Sequence, residues 1–236
     1  MHKEKRRMGS AASAAALLAT FVLQCGISLA QDAEPISSLE VKLRKQILKN
    51  ERLSAYLLEI PPNQATLMHR HDTDLLSVFV SGGDTRSTIA GMPPKEDTFA
   101  VGAVRFRPAG FTHSTENIGA SVFRSVVVEF SASMGVIEAD KPEDSHYCNA
   151  GTKSACVDMK YLFCTAKFCV QDISIAPGAV WRKDNSSDQL LVAVSDYRFS
   201  SRTQKSGEVE YISAGSTKHW KNINGKTARV VDVVFR

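Results

Sequence analysis

From Leu53 onward the chain is a series of short apolar runs of strand length, each closed by turn residues. Residues 53–60 end at Pro61-Pro62, and residues 75–80 end at Ser81-Gly82-Gly83. Residues 122–130, with FRSVVVEF at their core, are rich in β-branched side chains that suit a strand. Residues 102–117, GAVRFRPAGFTHSTEN, read as a strand, a tight turn at Pro108-Ala109-Gly110 and a second strand. The lead-in is ambiguous: Ser37-Ser38-Leu39-Glu40 has the form of a helical capping box, whereas the Leu, Val and Ile content through Ile47 fits a strand. The pattern as a whole predicts an all-β chain.

The pattern also occurs twice. Ile60-Pro61-Pro62 stands 115 residues before Ile175-Ala176-Pro177, and Asp74-Leu75-Leu76 the same distance before Gln189-Leu190-Leu191. Past the middle loop the offset is 105: Gly102, Gly110 and Asn117 correspond to Gly207, Gly215 and Asn222, and residues 124–130 to 229–235. One constant offset on each side of a ten-residue length change indicates an internal duplication. The predicted organisation is two tandem β-barrels, residues 31–140 and 161–236, joined by a cysteine-containing linker at 141–160. At these offsets His69 meets Asp184, His71 meets Ser186 and His113 meets Lys218, so the second copy lacks the imidazoles of the first. His219, one position off, is expected at the surface beside Trp220.

Composition changes this picture mainly at the N-terminus. With 236 residues, 43% hydrophobic and 23% charged, the chain has room for one large or two small domains. Lys3, Lys5, Arg6 and Arg7 precede an Ala/Leu/Phe/Val-rich run, and Ser28-Leu29-Ala30 closes it, so residues 1–30 read as a secretory signal peptide cleaved before Gln31. A retained membrane anchor is the competing reading, for which the apolar run is short. Without residues 1–30, Lys plus Arg falls from 29 to 25 and Asp plus Glu from 25 to 24, so the net charge falls from +4 to +1. The basic balance belongs to the leader and gives no reason to expect a nucleic-acid partner. Cys148, Cys156, Cys164 and Cys169 remain, an even number that in an exported protein suggests two disulfides; local bridges are the simplest, but three pairings stay open. A zinc site built from the four is the alternative, without the usual C-x2-C spacing.

Candidate chemistry centres on histidine. His69 and His71 are two apart, so on a strand they share a face while Met68 and Arg70 look away. His113 opens the second strand of the 102–117 unit, in which Gly102, Pro108, Gly110, His113 and Asn117 follow G-x5-P-x-G-x2-H-x3-N. No serine or cysteine nucleophile arrangement, phosphate-binding glycine loop or dinucleotide fingerprint is present.

That spacing resembles the second of the two sequence motifs of the cupin family, and the duplication resembles its two-barrel branch, the bicupins. The resemblance implies two jelly-roll barrels, with His69, His71 and His113 as ligands of a divalent transition metal in the first. The family's fourth ligand, a glutamate followed seven residues later by a glycine, falls at Leu75 (with Gly82) or Leu76 (with Gly83), and neither can coordinate. Three neutral imidazoles without a carboxylate favour iron(II), zinc, nickel or copper over manganese or magnesium. Iron comes first, because some cupin dioxygenases use three histidines. Asp74 is the candidate for an additional or water-bridged ligand; a solvated turn is the other reading of Arg70, Asp72 and Asp74.

If residues 102–108 form a regular strand, Val104 and Phe106 share one face and Arg105 and Arg107 the other. An apolar pocket of Leu67, Leu75 (or Leu76), Phe106 and Phe111 with outward-facing arginines is expected; an inward arginine would instead favour a carboxylate-bearing substrate. The loop Gly91-Met92-Pro93-Pro94 reads as either a flap or a connector. The expected function is an exported bicupin, periplasmic or secreted, whose metal acts on a small organic substrate in the manner of a dioxygenase. The alternative is a non-catalytic ligand-binding or structural protein. No stable membrane association is expected once the leader is removed, and both monomer and homodimer are open.

Overall fold

A computed structural model of the protein describes residues 36–37, 42–184, 186–200 and 202–236, and all regular structure among them is β. The expected signal peptide and most of the capping-box segment lie outside the described residues. Among the described residues no helix is long and apolar enough to cross a membrane.

The first barrel is two five-stranded sheets face to face. One sheet has the order β1 (Ile36–Ser37), β4 (His69–His71), β9 (Phe111–Asn117), β6 (Gly83–Ile89), β7 (Lys95–Phe99). The other has the order β2 (Arg44–Lys49), β3 (Leu53–Ile60), β10 (Phe123–Phe130), β5 (Leu75–Phe79), β8 (Val104–Arg107). The strand reading of the lead-in therefore holds at residues 44–49.

The second barrel has a six-stranded sheet, β11 (Ser145–Cys148), β12 (Cys156–Cys164), β13 (Phe168–Ile175), β20 (Ala228–Phe235), β15 (Gln189–Ala193), β18 (Val209–Ile212), in that order. Facing it are two pairs, β14 (Val180–Asp184) with β19 (Thr217–Lys221) and β16 (Tyr197–Phe199) with β17 (Arg202–Gln204). The segment expected as a linker, residues 141–160, instead supplies β11 and the start of β12. Its alternation, Val157 buried, Asp158 exposed, Met159 half-buried and Lys160 exposed, is that of a strand with one covered face. The disulfides Cys148–Cys156 and Cys164–Cys169 are the local pairing, and each joins residues directly opposite on neighbouring strands.

The two barrels share a core, and this determines which way the side chains of the first barrel point. Leu76 and Val78 of β5, and Val126, Val128 and Phe130 of β10, pack with Phe168 and Val170 of β13, Leu190 and Val192 of β15, and Val231, Val233 and Phe235 of β20. Because strand side chains alternate, Leu75, Ser77, Ser125, Val127 and Glu129 must point the other way, into the first barrel.

The duplication is visible in hydrogen bonds. Asn117 Nδ2 donates to Ile60 O (2.8 Å) and Ser121 O (2.7 Å), while its Oδ1 accepts the Gly119 N–H (3.0 Å). Asn222 repeats this with Ile175 O (2.8 Å), Lys226 O (2.9 Å) and the Asn224 N–H (3.0 Å). Between barrels the contacts are reciprocal: Arg124 donates to Ser206 O (3.1 Å), and its counterpart Arg229 to Val101 O (2.6 Å). Gly102 (φ +78°) adopts a conformation that favours glycine, and a Cβ there would displace the Arg229 guanidinium that lies against it.

Register corrects the alignment in one place. In the first barrel Leu75 pairs with Glu129, and in the second Gln189 pairs with Val234, so the offset is 114 by this point rather than 115. His69, opposite His113, then corresponds to Lys183, opposite Lys218, and not to Asp184. The second interior is occupied by Trp181, Tyr197, Phe199 and Trp220, with the two tryptophan rings 4.7 Å apart. His219 is exposed, as expected of a surface residue.

Candidate metal centre

The strand HRH buries both histidines and exposes Arg70 between them. β9 lies antiparallel beside it with His69 directly opposite His113, so all three rings enter the barrel from the same sheet. Their Nε2 atoms converge: His69 to His71 is 3.1 Å, and His71 to His113 is 3.2 Å.

Proton bookkeeping shows what this convergence needs. His69 Nδ1 lies 2.8 Å from the carbonyl of Leu67, which only accepts, so that nitrogen carries the proton and Nε2 holds a lone pair. His71 Nδ1 donates in the same way to Glu129 Oε1 at 3.2 Å. Protonating His69 and His113 is disfavoured: burial pushes His69 down to about 4, opposed by its bond to the Leu67 carbonyl and aided by the nearby His71. His113 is pushed to about 2, again by burial first and then by His69, His71 and Arg107. Two lone pairs 3.1 Å apart in a buried site repel unless a cation lies between them. An ion bound at about 2.0–2.1 Å separates its nitrogen ligands by about 2.9 Å at right angles and about 3.4 Å in a tetrahedron, so the observed spacing fits a single ion. The fit has one gap, since His113 Nδ1 is buried without a hydrogen-bond partner.

Glu129 is the residue that the sequence reading missed. It stands on the inward face of β10 directly across from Leu75, one of the two positions at which the family resemblance would place a glutamate. Its Oε1 accepts from His71 Nδ1 and from Arg44 Nη1 (3.1 Å), and the Arg44 guanidinium lies 3.5 Å from the Tyr56 ring centroid. A carboxylate behind a ligating imidazole fixes the ring's tautomer and raises its basicity. The signal was the lone acid in FRSVVVEF, on the opposite face from Val126, Val128 and Phe130.

The structure divides the residues expected in the pocket. A cavity of about 80 Å³ is lined by the three histidines, Leu75 and Phe111, but also by Arg44, Arg105 and Arg107. Leu67 is 60% exposed, and Phe106 packs with Val104 into the core between the barrels. With the outer face of β8 covered by the second barrel, Arg105 and Arg107 have only the interior and its mouth to occupy. The loop through Met92, Pro93 and Pro94 borders an outer groove that the same two arginines line.

Asp74 is buried but serves the backbone. Its Oδ1 accepts the Ala109 N–H (2.8 Å), and its Oδ2 accepts the Met134 N–H (2.6 Å) and the Ser133 hydroxyl (3.2 Å). Asp188 does the same for Ala214 N–H (2.8 Å) in the second barrel, where no histidine triad stands, which assigns the role to the turn and not to a metal. Asp74→Ala is expected to lower stability by about 2–4 kcal/mol by orphaning these donors, and to leave the metal content of the folded protein unchanged. Urea unfolding and elemental analysis would check both. A second cluster, His146, Cys148 and Cys156, has its two sulfurs tied in a disulfide.

No family model and no curated protein matches the chain. Solved structures do match. AerE from Microcystis aeruginosa is 14% identical with a TM-score of 0.56, over 82% of this chain and 97% of that one. Oxalate decarboxylase from Bacillus subtilis, as a mutant, is 11% identical with a TM-score of 0.55, over 81% of this chain and 71% of that one. A further structure of that enzyme concerns its Mn(II) centres. A cupin 2 conserved barrel domain protein from Leptotrichia buccalis is 12% identical with a TM-score of 0.51, over 82% of this chain and 88% of that one. The fold is that of the cupins, present twice.

In this cupin fold the histidines occupy the inner face of the outer sheet. The sheet shared with the second barrel brings Glu129 and the arginines to meet them. At these identities the likeness establishes the architecture, and the histidine triad supplies a site that could hold a metal.

Proposed function

We propose that the first barrel holds a divalent transition metal through Nε2 of His69, His71 and His113, and that the protein uses it on a small organic substrate. The observation that carries this reading is the convergence of buried imidazole nitrogens at 3.1–3.2 Å, with the tautomers of His69 and His71 set from behind by Leu67 and Glu129. Imidazole donors suit iron, zinc, nickel and copper, whereas manganese prefers the carboxylate that Leu75 has replaced. Iron is the first choice by resemblance to three-histidine cupin dioxygenases. Such an ion supplies Lewis acidity and, if it is iron(II), oxygen activation. The chain's own part is to hold the rings, to exclude water with Leu75 and Phe111, and to orient the substrate within the cavity. Export belongs to the same proposal, supported by the two disulfides and the leader pattern of residues 1–30.

Protein purified without a histidine tag should carry close to one transition-metal ion per chain, and His113→Ala close to none. Oxygen uptake against diketones, thiols and catechols then separates the classes. Substrate-dependent uptake supports an oxygenase, and stoichiometric metal without turnover supports the ligand-binding alternative. Metal retained by His113→Ala would overturn the site.

A further inference from the structure

Three arginines face the interior of the first barrel, and their partners differ. Arg44 is paired with Glu129 at 3.1 Å. Arg105 is paired with Asp97 at 3.2 Å and lies over Phe99 at 4.6 Å. Arg107 makes no salt bridge among the described residues, although Asp97, paired with Arg105, is near enough to act on it; its guanidinium carbon lies 5.3 Å from the Phe111 ring centroid. Burial, with Arg105 beside it, holds its pKa below the ordinary arginine value, and its charge in turn acts on His113. No acidic side chain lines the cavity, whose polar lining is imidazole, guanidinium and hydroxyl. Arg105 and Arg107 also line the groove outside, together with Lys95 and Asp97, so a ligand entering from that groove meets three cationic side chains and one acid on the way to the histidines. Asp97 spends its salt bridge on Arg105, so the half-buried Arg107 guanidinium keeps its planar fork available, and that fork matches a carboxylate.

We propose that Arg107, with Arg105 beside it, anchors the carboxylate of a small organic acid whose other oxygen donors face the three imidazoles. This rests on the metal reading for the imidazole end of the ligand, while the arginine end stands on the geometry of the cavity. The volume of about 80 Å³ corresponds to about five to eight water-sized positions, the size of a three- or four-carbon acid. Leu75 and Phe111 bound the cavity with apolar surface, which suits a carbon skeleton better than a bare inorganic anion.

Calorimetric titration of pyruvate, malonate and succinate, with malonamide, succinamide and inorganic phosphate as controls, into metal-loaded and chelator-treated protein tests the proposal. The acids should bind the loaded protein at least tenfold more tightly than the amides or phosphate. Arg107→Gln should weaken them roughly tenfold to a hundredfold, with metal content and melting temperature unchanged, and Arg107→Lys should recover part of the loss. Normal metal content with acids and amides binding alike, with phosphate binding as well as the acids, or with no effect of Arg107→Gln overturns the carboxylate anchor and leaves the metal site standing. If the protein takes up no metal, the function proposed above falls. Acid binding that still depends on Arg107 would then sustain the anchor alone, and its absence would remove both.

Discussion

Glu129→Ala is expected to destabilise the metal-free protein by about 3–5 kcal/mol and to weaken metal binding by about 10- to 100-fold. Both effects come from one carboxylate with two duties. The Arg44 side chain is only 5% exposed, so removing the Glu129 carboxylate takes an opposite charge away from a buried guanidinium. His71 loses the acceptor on Nδ1 that keeps Nε2 aimed at its partners. The two effects can be separated. In the double variant Arg44→Met/Glu129→Leu no buried charge is left over, so most of the stability should return while metal affinity stays low. Urea unfolding and competitive metal titration of the three proteins provide the test. A double variant that also recovers wild-type affinity would show that Glu129 serves Arg44 alone.

Trp181→Ala is expected to have a comparable effect on stability and none on the metal. Trp181 is fully buried against Trp220 inside the second barrel, and truncating an aromatic ring in a packed core costs about 3–5 kcal/mol. The histidines lie in the other barrel, on the sheet away from the shared core. Metal stoichiometry of the folded variant should therefore equal that of wild type, with a lower urea midpoint. A loss of metal from folded Trp181→Ala would mean that the second interior helps shape the first site.

Much of this was legible in the sequence because it depends on local spacing. The two-residue period of His69 and His71, the turn ahead of His113 and the repeated Asn117 and Asn222 are all short-range signals, and the structure realises them as strands and turns. What escaped the sequence depends on which faces are covered. Arg105 and Arg107 sit on a strand whose alternation is plain, but the outward reading turned Phe106 to the pocket, whereas Val104 and Phe106 pack against the second barrel. Glu129 belongs to the same strand alternation, yet its partners Arg44 and His71 are 85 and 58 residues away. Asp74 was read as near the site by proximity in sequence, when its partners are the backbone of Ala109 and Met134. The cysteine segment looked like a connector because its polar residues hid a half-covered strand.

The central strands β5 and β10 of the sheet that carries Glu129 are covered on both faces: one surface walls the cavity and the other packs on the second copy. That copy lacks the histidine triad but cannot be discarded, since a chain cut between the barrels would bare a broad apolar surface behind the histidine site. Mutational drift in the half without the histidine triad is thus limited by the other half's need for a rigid back wall. Inheritance of the pair as one unit follows from packing, without any reaction in the second barrel.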